Sequence, residues 1–554
     1  MDGMSIAIGA MRAAQTGLNV AGNNIANAAT EGYHRQRVEF TPAYSSEING
    51  FLVGGGVNTT DITRIIDTVL GKQLTRQYSL AGQARTELHT LSSVEAAFGE
   101  LGAGGGLSTA IDDFFNSLSS LAADPGAGHL QIQAVRTAEL MSTQFRTLGT
   151  FLSDLSVSMT EKAYSTVKQI NEYAEQIAQL NYQIRNISIQ GGSTNNLMDQ
   201  RDARINNLAE LVGISVVDRE NGVADVNFEG TWLVVGSEAQ RMDVSTQAGG
   251  LLGIAPVGIT SYMTEVSGGT LGAYFSLNNT ALANIRRQLD TLAESVISGV
   301  NGYHVQGLGA NGSFTELVSI STTTEALSDL RPPVTDGRIS IRVTNAAGEV
   351  RRTDVDVNVS TDTLTTMAAK LDAVEGISAR VELGRLVISG DAGCTFDFLA
   401  DTVENSDTSG FLAAAGMNTF FSGSNARNIA VSGFISANPR NIASCLGAEL
   451  TDNANVLRLS RMSAAEIPGL GGISIGEYYR QMVTDIGTDI SLKQMRVDNI
   501  EIVTHDLEAQ REQISGVNVN DEAAKLLIFE RMFQASARYL NTIHSTMQEL
   551  MRLL

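Results

Sequence analysis

Two rows of apolar residues repeat every seven positions at the start of the chain. This spacing is typical of a helix that packs against another helix along a narrow seam. The small residues of the second row would let a neighbouring helix approach closely. A lone helix of this kind is marginal in water, so the segment is predicted to need a partner. The large residues are Met4, Met11, Leu18 and Ile25, and the small ones are Ala7, Ala14, Ala21 and Ala28.

Helical periodicity continues through the first two-fifths of the chain. It predicts helices over residues 61–98, 108–122, 131–190 and 196–212. The glycine-rich run at 101–106 separates the first two, since glycine disfavours a helix interior. The chain therefore opens with a largely helical region.

The period then changes from that of helices to that of strands. Residues 214–242 alternate apolar and polar positions, with Gly and Asn turns between the runs. A helix returns over 271–303. Residues 307–423 are mostly β in pattern, with one short helix at 364–374, which gives a ββαββ order. This second β region is predicted to be an inserted domain.

The last part of the chain returns to helix. One apolar seam runs from Val483 to Ile514, and a break at 515–518 precedes a final helix. The stripe of that helix is as narrow as the first one and needs a partner in the same way. Its apolar residues are Leu526, Phe529, Phe533, Leu540, Ile543, Met547, Leu550 and Leu554.

These changes of pattern predict an α+β multidomain fold. Its long helical, coiled-coil core is built from both chain termini, with mainly-β domains inserted in the middle. The predicted segments are an N-terminal axial helix and loop (1–60), the first part of a helical domain (61–212), a β-rich excursion (213–267), a helix that returns to the helical domain (268–306), an inserted β-rich domain (307–424), the C-terminal part of the helical domain (425–515) and a C-terminal axial helix (516–554).

Charge and composition exclude several classes of function. The chain has 554 residues, of which 43% are hydrophobic, enough for roughly three to four folded domains. Its 38 Lys and Arg against 60 Asp and Glu give a net charge of −22, which argues against binding to nucleic acid or anionic lipid. No apolar run is long enough for a membrane helix, and the N-terminus shows no signal peptide.

The two cysteines, Cys394 and Cys445, rule out a disulfide framework or zinc ribbon. Two unpaired thiols are the favoured interpretation, and a single disulfide stays open. Six scattered histidines form no ligand pair, so neither a metal nor a cofactor is expected.

Two short motifs resemble catalytic or nucleotide-binding sequences. Residues 307–312 fit GxGxxG, but a helix precedes and a strand follows, the reverse of a dinucleotide site. We interpret them as a flexible interdomain loop. Residues 472–476 fit the GxSxG nucleophile elbow, but no buried strand precedes Ser474, which is predicted to be a cap or turn residue. The chain is therefore not expected to be an enzyme.

Segments at both ends resemble one known family. The N-terminal segments are NNIAN at 23–27 and TEGYHRQ at 30–36, and the C-terminal ones are VNVNDEAAKL at 517–526 and the helix at 529–537. They resemble the signatures of the bacterial flagellar rod, hook and hook-associated axial proteins, in the same order along the chain.

Three internal segments resemble the hook-associated members of that family. They are NLMDQRD at 196–202, GGTLG at 268–272 and NGYHVQG at 301–307. The resemblance covers roughly residues 1–305 and 425–554, and not the β region between them. Glu31 and the Glu530-Arg531 pair depart from the family pattern. The Glu530-Arg531 pair predicts more ionic axial contacts at the terminal helix.

The resemblance implies a structural subunit at the junction between hook and filament. Implied partners are other copies of the chain, the hook protein, the second junction protein and an export chaperone at the C-terminal helices. It also implies an extracellular location, reached through the flagellar type III apparatus without a cleaved signal. The implied axial interface residues are Met4, Met11, Leu18, Asn23, Asn24, Ile25, Asn27, Gly32, Tyr33, Arg35, Leu526, Phe529, Phe533, Leu540, Ile543, Met547 and Leu550.

Some residue roles stay open. The asparagines at 23, 24 and 27 fit either helix termination or amide contacts between subunits. Gly32 is predicted to supply a backbone conformation that other residues resist. Tyr33 and Arg35 fit either a docking contact or an exposed loop, and His304 is predicted to be a structural hydrogen-bonding residue.

Other functions remain as alternatives. The first alternative is another axial protein, such as a hook, distal rod or second junction protein. The segment Asp199–Asp202 and the segment around His304 argue against it. An esterase built around Ser474 is a second alternative. A surface adhesin with a helical stalk is a third, and it predicts ordered coiled coils in the isolated chain. The junction interpretation predicts protease-labile ends and a resistant middle.

Overall fold

The computed structural model divides the chain into two compact units. Unit 1 comprises Met1–His89, Ser158–Thr280 and Ser491–Leu554, and unit 2 comprises Thr90–Val157 and Ala281–Ile490. The structure describes residues 2–30, 32–44, 46–48, 51–99, 106–320, 326–399, 405–447, 450 and 452–553.

Long helices dominate both ends of the chain, and the sheets are small and lie in between. This confirms the predicted α+β multidomain fold class. The helices are α1 Asp2–Ala26, α2 Thr68–Phe98, α3 Leu107–Ala123, α4 Gly128–Ile189, α5 Asn195–Leu211, α6 Gly269–Ser276, α7 Leu282–His304, α8 Leu364–Asp372, α9 Phe411–Ala414, α10 Gly433–Ala437, α11 Ala454–Arg461, α12 Ile475–Ser515 and α13 Val519–Leu553.

The described strands pair antiparallel throughout. In unit 1 they are β1 Gln36–Pro42, β2 Ser46–Ile48, β3 Phe51–Val53, β4 Val57–Arg64, β5 Ser215–Asp218, β6 Ala224–Phe228, β7 Thr231–Val235, β8 Glu238–Ala239, β9 Met242–Thr246 and β10 Leu252–Pro256. In unit 2 they are β11 Glu316–Val318, β12 Gly337–Thr344, β13 Val350–Val357, β14 Ile377–Glu382, β15 Arg385–Gly390, β16 Thr395–Asp397, β17 Phe421–Ser422 and β18 Ala430–Val431.

The main core of unit 1 lies between helices and a four-stranded sheet. The sheet has the order β5-β6-β7-β8, and the alternation of its strands turns one face towards α4 and α5. Apolar residues of the helices and sheet form one buried cluster, which includes Ile177, Leu208, Val226, Leu233, Ile254 and Phe275. A smaller cluster joins α2 to α12 through Ala81, Ala84, Val497 and Ile500.

The β region of unit 2 has the predicted ββαββ order. Strand β12 lies between β13 and β16, and β15 lies between β11 and β14. Helix α8 connects the two sheets and begins with a capping box, in which Thr363 and Thr366 each bond the other's backbone N–H. The shared core includes Ile339, Ile341, Met367, Leu371, Leu386, Ile388 and Phe396.

Two helix boundaries differ from the sequence pattern. The helix predicted from residue 61 begins instead at Thr68. Residues up to Arg64 pair with β1, and the Asp67 carboxylate accepts bonds from the N–H groups of Val69 and Leu70, so it caps α2. Between 425 and 474 the described helices are short, and the long helix α12 starts only at Ile475.

The break predicted at 101–106 lies outside the described residues except for Gly106, as do Glu31 and Leu554. Among the described residues, no helix is both long enough and apolar enough to cross a membrane.

Candidate functional site

Helices α1 and α13 pair antiparallel along their length. An added Cβ at Gly17 would lie 2.7 Å from the Phe529 ring, and one at Gly3 would lie 3.1 Å from Ile543 Cδ1. Asn24 bonds to Glu522. The contact residues are therefore spaced by fourteen and then seven positions along α1, and by seven and then fourteen along α13, which is the spacing of a heptad seam.

The small residues of α1 are the buried ones. Ala7, Ala14 and Ala21 are fully buried, whereas Ala28 lies beyond the end of α1 and is exposed. The large residues of the other row stay partly accessible, and Met4 is exposed. The predicted need of the first helix for a helical partner is thus met by the C-terminal helix of the same chain.

Asn24 is the centre of a buried polar cluster at one end of this pair. Its amide Nδ2 donates to Glu522 Oε2 and to the carbonyl of Gln36, both at 2.9 Å. Its Oδ1 accepts from the Tyr33 hydroxyl at 2.8 Å and from the N–H of Gln36 at 3.0 Å. The second oxygen of Glu522 accepts from Lys525 Nζ at 2.6 Å. All donors and acceptors of the Asn24 side chain are therefore satisfied within the chain.

The other two asparagines of this motif serve the end of the helix. Asn27 Nδ2 donates to the carbonyl and to Oδ1 of Asn23, at 2.9 and 2.7 Å. Gly32 follows with φ of +76°, the left-handed conformation that was predicted for it. Burial, together with the charges of Asp199 and Glu522, raises the pKa of Tyr33 to about 12.

The segment after Gly32 is held by the start of α5. His34 Nδ1 donates to Asp199 Oδ1 at 2.7 Å, and Arg64 Nη1 donates to the same oxygen at 2.7 Å. Gln36 Nε2 donates to Asn196 Oδ1 at 2.9 Å. The segment 196–202, which resembled the hook-associated proteins, therefore lies directly against the N-terminal motif.

Arg35 joins the same segment to the end of α12. Its N–H donates to the carbonyl of Ser515 at 2.9 Å, and its Nη2 donates to that of Ile514 at 3.3 Å. Its Nε is buried and has no hydrogen-bond partner among the described residues. We name the whole cluster the hub, and its members are Asn24, Tyr33, His34, Arg35, Gln36, Arg64, Asn196, Asp199 and Glu522.

The predicted interface residues separate into two groups. Leu526, Phe529, Phe533, Leu540 and Ile543 are half-buried, and Met547 and Leu550 are exposed. Of the N-terminal residues, Asn24 is buried, Met4 and Asn23 are exposed, and the others are half-buried. Those others are Met11, Leu18, Ile25, Asn27, Gly32, Tyr33 and Arg35.

Sequence reasoning missed two kinds of residue. Arg64 was not singled out. Asp199 and Glu522 were named only as members of the segments that carry the resemblance, although Glu522 stands seven positions before Phe529, where a seam residue belongs. The second kind is the apolar residues on the open side of α13. They include Leu527, which is 55% exposed, and Ile528, which is 57% exposed. Met532, Tyr539 and Met551 are exposed as well.

The segment 301–307 lies in unit 2 and forms a second buried polar cluster. His304 Nδ1 donates to the carbonyl of Asn418 at 2.7 Å, and Nε2 accepts the N–H of Ala443 at 3.0 Å. Burial lowers the pKa of His304 to about 4. Asn301 Oδ1 accepts the N–H groups of Phe420 and Phe421. The prediction of a structural role for His304 is confirmed.

Both motif-like sequences have structural roles. The backbone N–H of Ser474 donates to Glu477 Oε2 at 3.1 Å, and Ser474 Oγ accepts the N–H of Glu477 at 3.3 Å, which is a capping box at the start of α12. The Ser474 hydroxyl also donates to Glu477 Oε2, at 2.8 Å. The 307–312 turn lies within unit 2, where Leu308 exchanges backbone bonds with Cys445. It is therefore not an interdomain loop. Both cysteines are free thiols.

Comparison with known proteins identifies two family matches. The flagellar hook-associated protein FlgK helical domain matches residues 91–317, and the flagella basal body rod protein family matches residues 4–34. Flagellar hook-associated protein 1 of Salmonella typhimurium is 26% identical, over 99% of each chain. That of Escherichia coli K12 is 27% identical, over 99% of this chain and 98% of the relative.

A solved structure shares the fold. The flagellar hook junction protein FlgK from Burkholderia pseudomallei superposes with a TM-score of 0.54 at 17% identity, over 80% of this chain and 100% of that chain. Paired terminal helices, the motifs of the hub and these matches define a structural protein of the bacterial flagellum. Within that class, the chain is similar over 99% of its length to flagellar hook-associated protein 1.

Proposed function

We propose that the chain is a structural subunit of the junction between the flagellar hook and filament, and that it assembles through α1 and α13. Its full-length relatives are named hook-associated proteins, and its structural neighbour is named a hook junction protein. The observation that carries the assembly role is the open side of α13. Leu527, Ile528 and Met532 expose apolar surface on the side of α13 that does not pack against α1.

The proposed partners follow from the same surface. Other copies of the chain, the hook protein and the second junction protein would cover the exposed side of α13. An export chaperone would occupy this side before assembly, since a free apolar helix is prone to aggregate. The proposed location is extracellular, after export through the flagellar type III apparatus without a cleaved signal.

We propose no catalytic activity. The Ser474 hydroxyl, the one candidate nucleophile that the sequence suggested, is engaged in the cap of α12. Loss of ester hydrolysis in a Ser474→Ala variant of an active preparation would contradict this.

The junction role is tested by electron microscopy of cells that lack the gene, with filament subunit assayed in the medium. Hooks without filaments, together with secreted filament subunit, are expected. Missing hooks would favour a rod or hook protein instead. Normal filaments would contradict any axial role.

The assembly surface is tested by Ile528→Asp in the complemented strain. Ile528 is exposed, so the charge leaves the fold of the isolated chain intact but prevents burial between subunits. We expect hooks that fail to carry filaments. Gln510→Asp adds the same charge at an exposed position of α12, outside α13, and serves as the control. Full motility of both variants would exclude the open side as an interface.

A further inference from the structure

The repeated alanines of α1 do not by themselves fix how α1 lines up with α13. Ala7, Ala14 and Ala21 are buried and stand seven positions apart. If α13 slipped along α1 by one heptad, each of these alanines would take the place of the next, and the row would offer nearly the same surface. A seam of this kind specifies that two helices pair, but it specifies their register only weakly.

Three contacts of the pair break this repeat, and all three agree on one register. They are Gly3 with Ile543, Gly17 with Phe529 and Asn24 with Glu522. The sequence numbers of the two partners add up to the same value in each contact, as a single antiparallel register requires. The Phe529 ring also lies edge-on to Phe40 of β1, with 6.2 Å between the ring centroids, so it contacts α1 and β1 together.

The Asn24–Glu522 contact is the polar one of the three, and both of its partners are buried. Asn24 is 0% exposed and Glu522 is 1% exposed, and Asn24 Nδ2 donates to Glu522 Oε2 at 2.9 Å. The other oxygen of Glu522 accepts from Lys525, which lies in α13 as well, so that bond would move with the helix if it slipped. The bond from Asn24 forms in one register alone. A buried carboxylate that loses a donor is strongly destabilised.

A slip by one heptad is unfavourable in either direction. In one direction Phe529 would come opposite Asn24, and Glu522 would pass beyond the end of α1 at Ala26. In the other direction Glu522 would come opposite Gly17, the position that otherwise faces an aromatic ring. Both slips leave Glu522 without the Asn24 amide, and both move the Phe529 ring away from the space that Gly17 provides.

We propose that the buried Asn24–Glu522 bond sets the register in which α1 pairs with α13 when the subunit is assembled. A single buried polar residue can specify the register of a coiled coil at a cost in stability. This inference rests on the proposed assembly through the terminal helices, and it identifies the residues that select the correct alignment. It concerns the pair in the assembled flagellum, so it requires no pairing of the two helices in the free chain.

Disulfide formation between introduced cysteines measures the register in flagella isolated from the complemented strain. Ala10 and Ser536 lie midway between the two glycine contacts on α1 and α13, and both are half-buried. Ala10→Cys with Ser536→Cys therefore reports the register of the structure. Ala10→Cys with Ile543→Cys or with Phe529→Cys reports a slip of one heptad in either direction. Such a slip moves the partner by about 10 Å, beyond the reach of a disulfide.

The register is compared between the unsubstituted chain and Glu522→Leu, which replaces the buried carboxylate with an apolar seam residue. We expect the ratio of slipped to native-register disulfide to rise about tenfold in Glu522→Leu, with total cross-linking maintained. If Glu522 served only the stability of the pair, the native-register product would fall and no slipped product would appear. Each pair of cysteines is compared with itself in both chains, so the effect of the cysteines cancels.

Glu522→Gln and Asp521→Asn are the matched controls. Glutamine keeps an oxygen that can accept from Asn24, so Glu522→Gln is expected to keep the register. Asp521 is exposed beside Glu522, and Asp521→Asn is expected to keep it as well. Chains with one introduced cysteine identify any disulfide to the free thiols Cys394 and Cys445.

The proposal is overturned if Glu522→Leu forms no slipped product, whatever the yield of the native-register one. That result leaves the junction role untouched, because the gene deletion tests that role. If none of the cysteine pairs reacts in the unsubstituted chain, assembly through the helix pair is overturned together with the register. If Glu522→Leu is absent from the flagella, Asn24→Asp decides, since its carboxylate cannot donate to Glu522. A native-register product alone in Asn24→Asp would overturn the proposal.

Discussion

The β region of unit 2 and the α1–α13 pair of unit 1 treat large apolar side chains differently. In the β region Met367, Leu371 and Ile388 are fully buried between two sheets and a helix. In the helix pair the buried row consists of alanines, and large residues such as Leu527 and Ile528 remain exposed. A seam of small residues buries little apolar area, so it contributes little stability by itself.

This difference shows which interactions stabilise each of the two regions. The β region buries enough apolar surface to hold its own structure. The helix pair depends on the hub at one end and, in the proposed function, on surfaces supplied by other subunits. Buried large residues characterise the β region, which is held by its own packing. Buried small residues beside exposed large ones characterise the α1–α13 pair, whose exposed surface is available for contacts between subunits.

The largest predicted effect is a loss of stability in the β region of unit 2. Leu371→Ala leaves a cavity between α8 and the sheets and is expected to lower the local free energy of unfolding by about 3 kcal/mol. Leu383→Ala is the control, because Leu383 is 90% exposed at the turn between β14 and β15. Hydrogen exchange of β12 to β15 measures both. If both variants lower the local free energy of unfolding equally, burial of large residues does not distinguish the β region from the helix pair.

A second prediction concerns pH and the buried histidine of unit 2. The pKa of His304 is about 4 in the folded chain and near 6.5 when unfolded, so the unfolded state binds the proton first. Its contribution to stability is complete above about pH 6.5 and is lost as the pH falls towards 4. Between pH 7 and 5 we expect a loss of about 2 kcal/mol in the local unfolding of unit 2.

The measurement is the pH dependence of amide exchange around α7, corrected for the intrinsic rate. His304→Gln is expected to be less stable at pH 7 but to lose less stability between pH 7 and 5. His505 has an exposed side chain, so His505→Gln should keep the dependence of the unsubstituted chain. If local stability depends on pH equally in the unsubstituted chain and in both variants, groups other than His304 cause the pH dependence.

The third prediction compares alanine substitutions at two glycines of α1, Gly17 and Gly22. Gly17→Ala places a methyl group 2.7 Å from the Phe529 ring, which must shift, and is expected to weaken pairing with α13 by about 1 kcal/mol. Nothing lies within 4 Å of a Cβ at Gly22, so Gly22→Ala is expected to stabilise α1 by up to about 1 kcal/mol. Amide exchange of α13 measures the pairing. If Gly17→Ala instead stabilises the pairing of α1 with α13, the two helices do not approach each other closely at Gly17.

The smallest predicted effect is on the ionic character of the terminal helix. Glu530 is exposed and accepts a bond from Gln534 within α13. If axial contacts of this chain are more ionic than in the family, Glu530→Gln should reduce the salt sensitivity of assembly by a few tenths of a kcal/mol. Sedimentation at 50 mM to 500 mM salt measures it, and an unchanged salt dependence would contradict the hypothesis.

Much of the fold could be predicted from local pattern. The heptad rows predicted α1 and α13, and the change of period predicted the ββαββ order, because both depend on which side of one element is buried. The start of α2 could not be predicted in this way. Residues 61–64 could continue a helical pattern, but pairing with β1, a partner more than twenty positions earlier, takes them into a strand.

The hub was only partly predictable. The resemblance pointed to NNIAN, NLMDQRD and the C-terminal segment separately, and nothing in their spacing showed that they meet. Asn24 and Glu522 stand 498 positions apart, and one hydrogen bond between polar residues leaves no periodic trace in either helix. Gly32 was predictable because its conformation is a local property.

The matched spacing of Gly3, Gly17 and Asn24 with Ile543, Phe529 and Glu522 restricts how this chain can evolve in length. One residue inserted into α1 between Gly17 and Asn24 would turn the later positions by about 100° and carry Asn24 off the seam. Insertions or deletions can therefore be accepted only in both terminal helices together and in multiples of seven. Gaps in alignments of the two ends are expected to be correlated, although 492 residues separate the two helices along the chain.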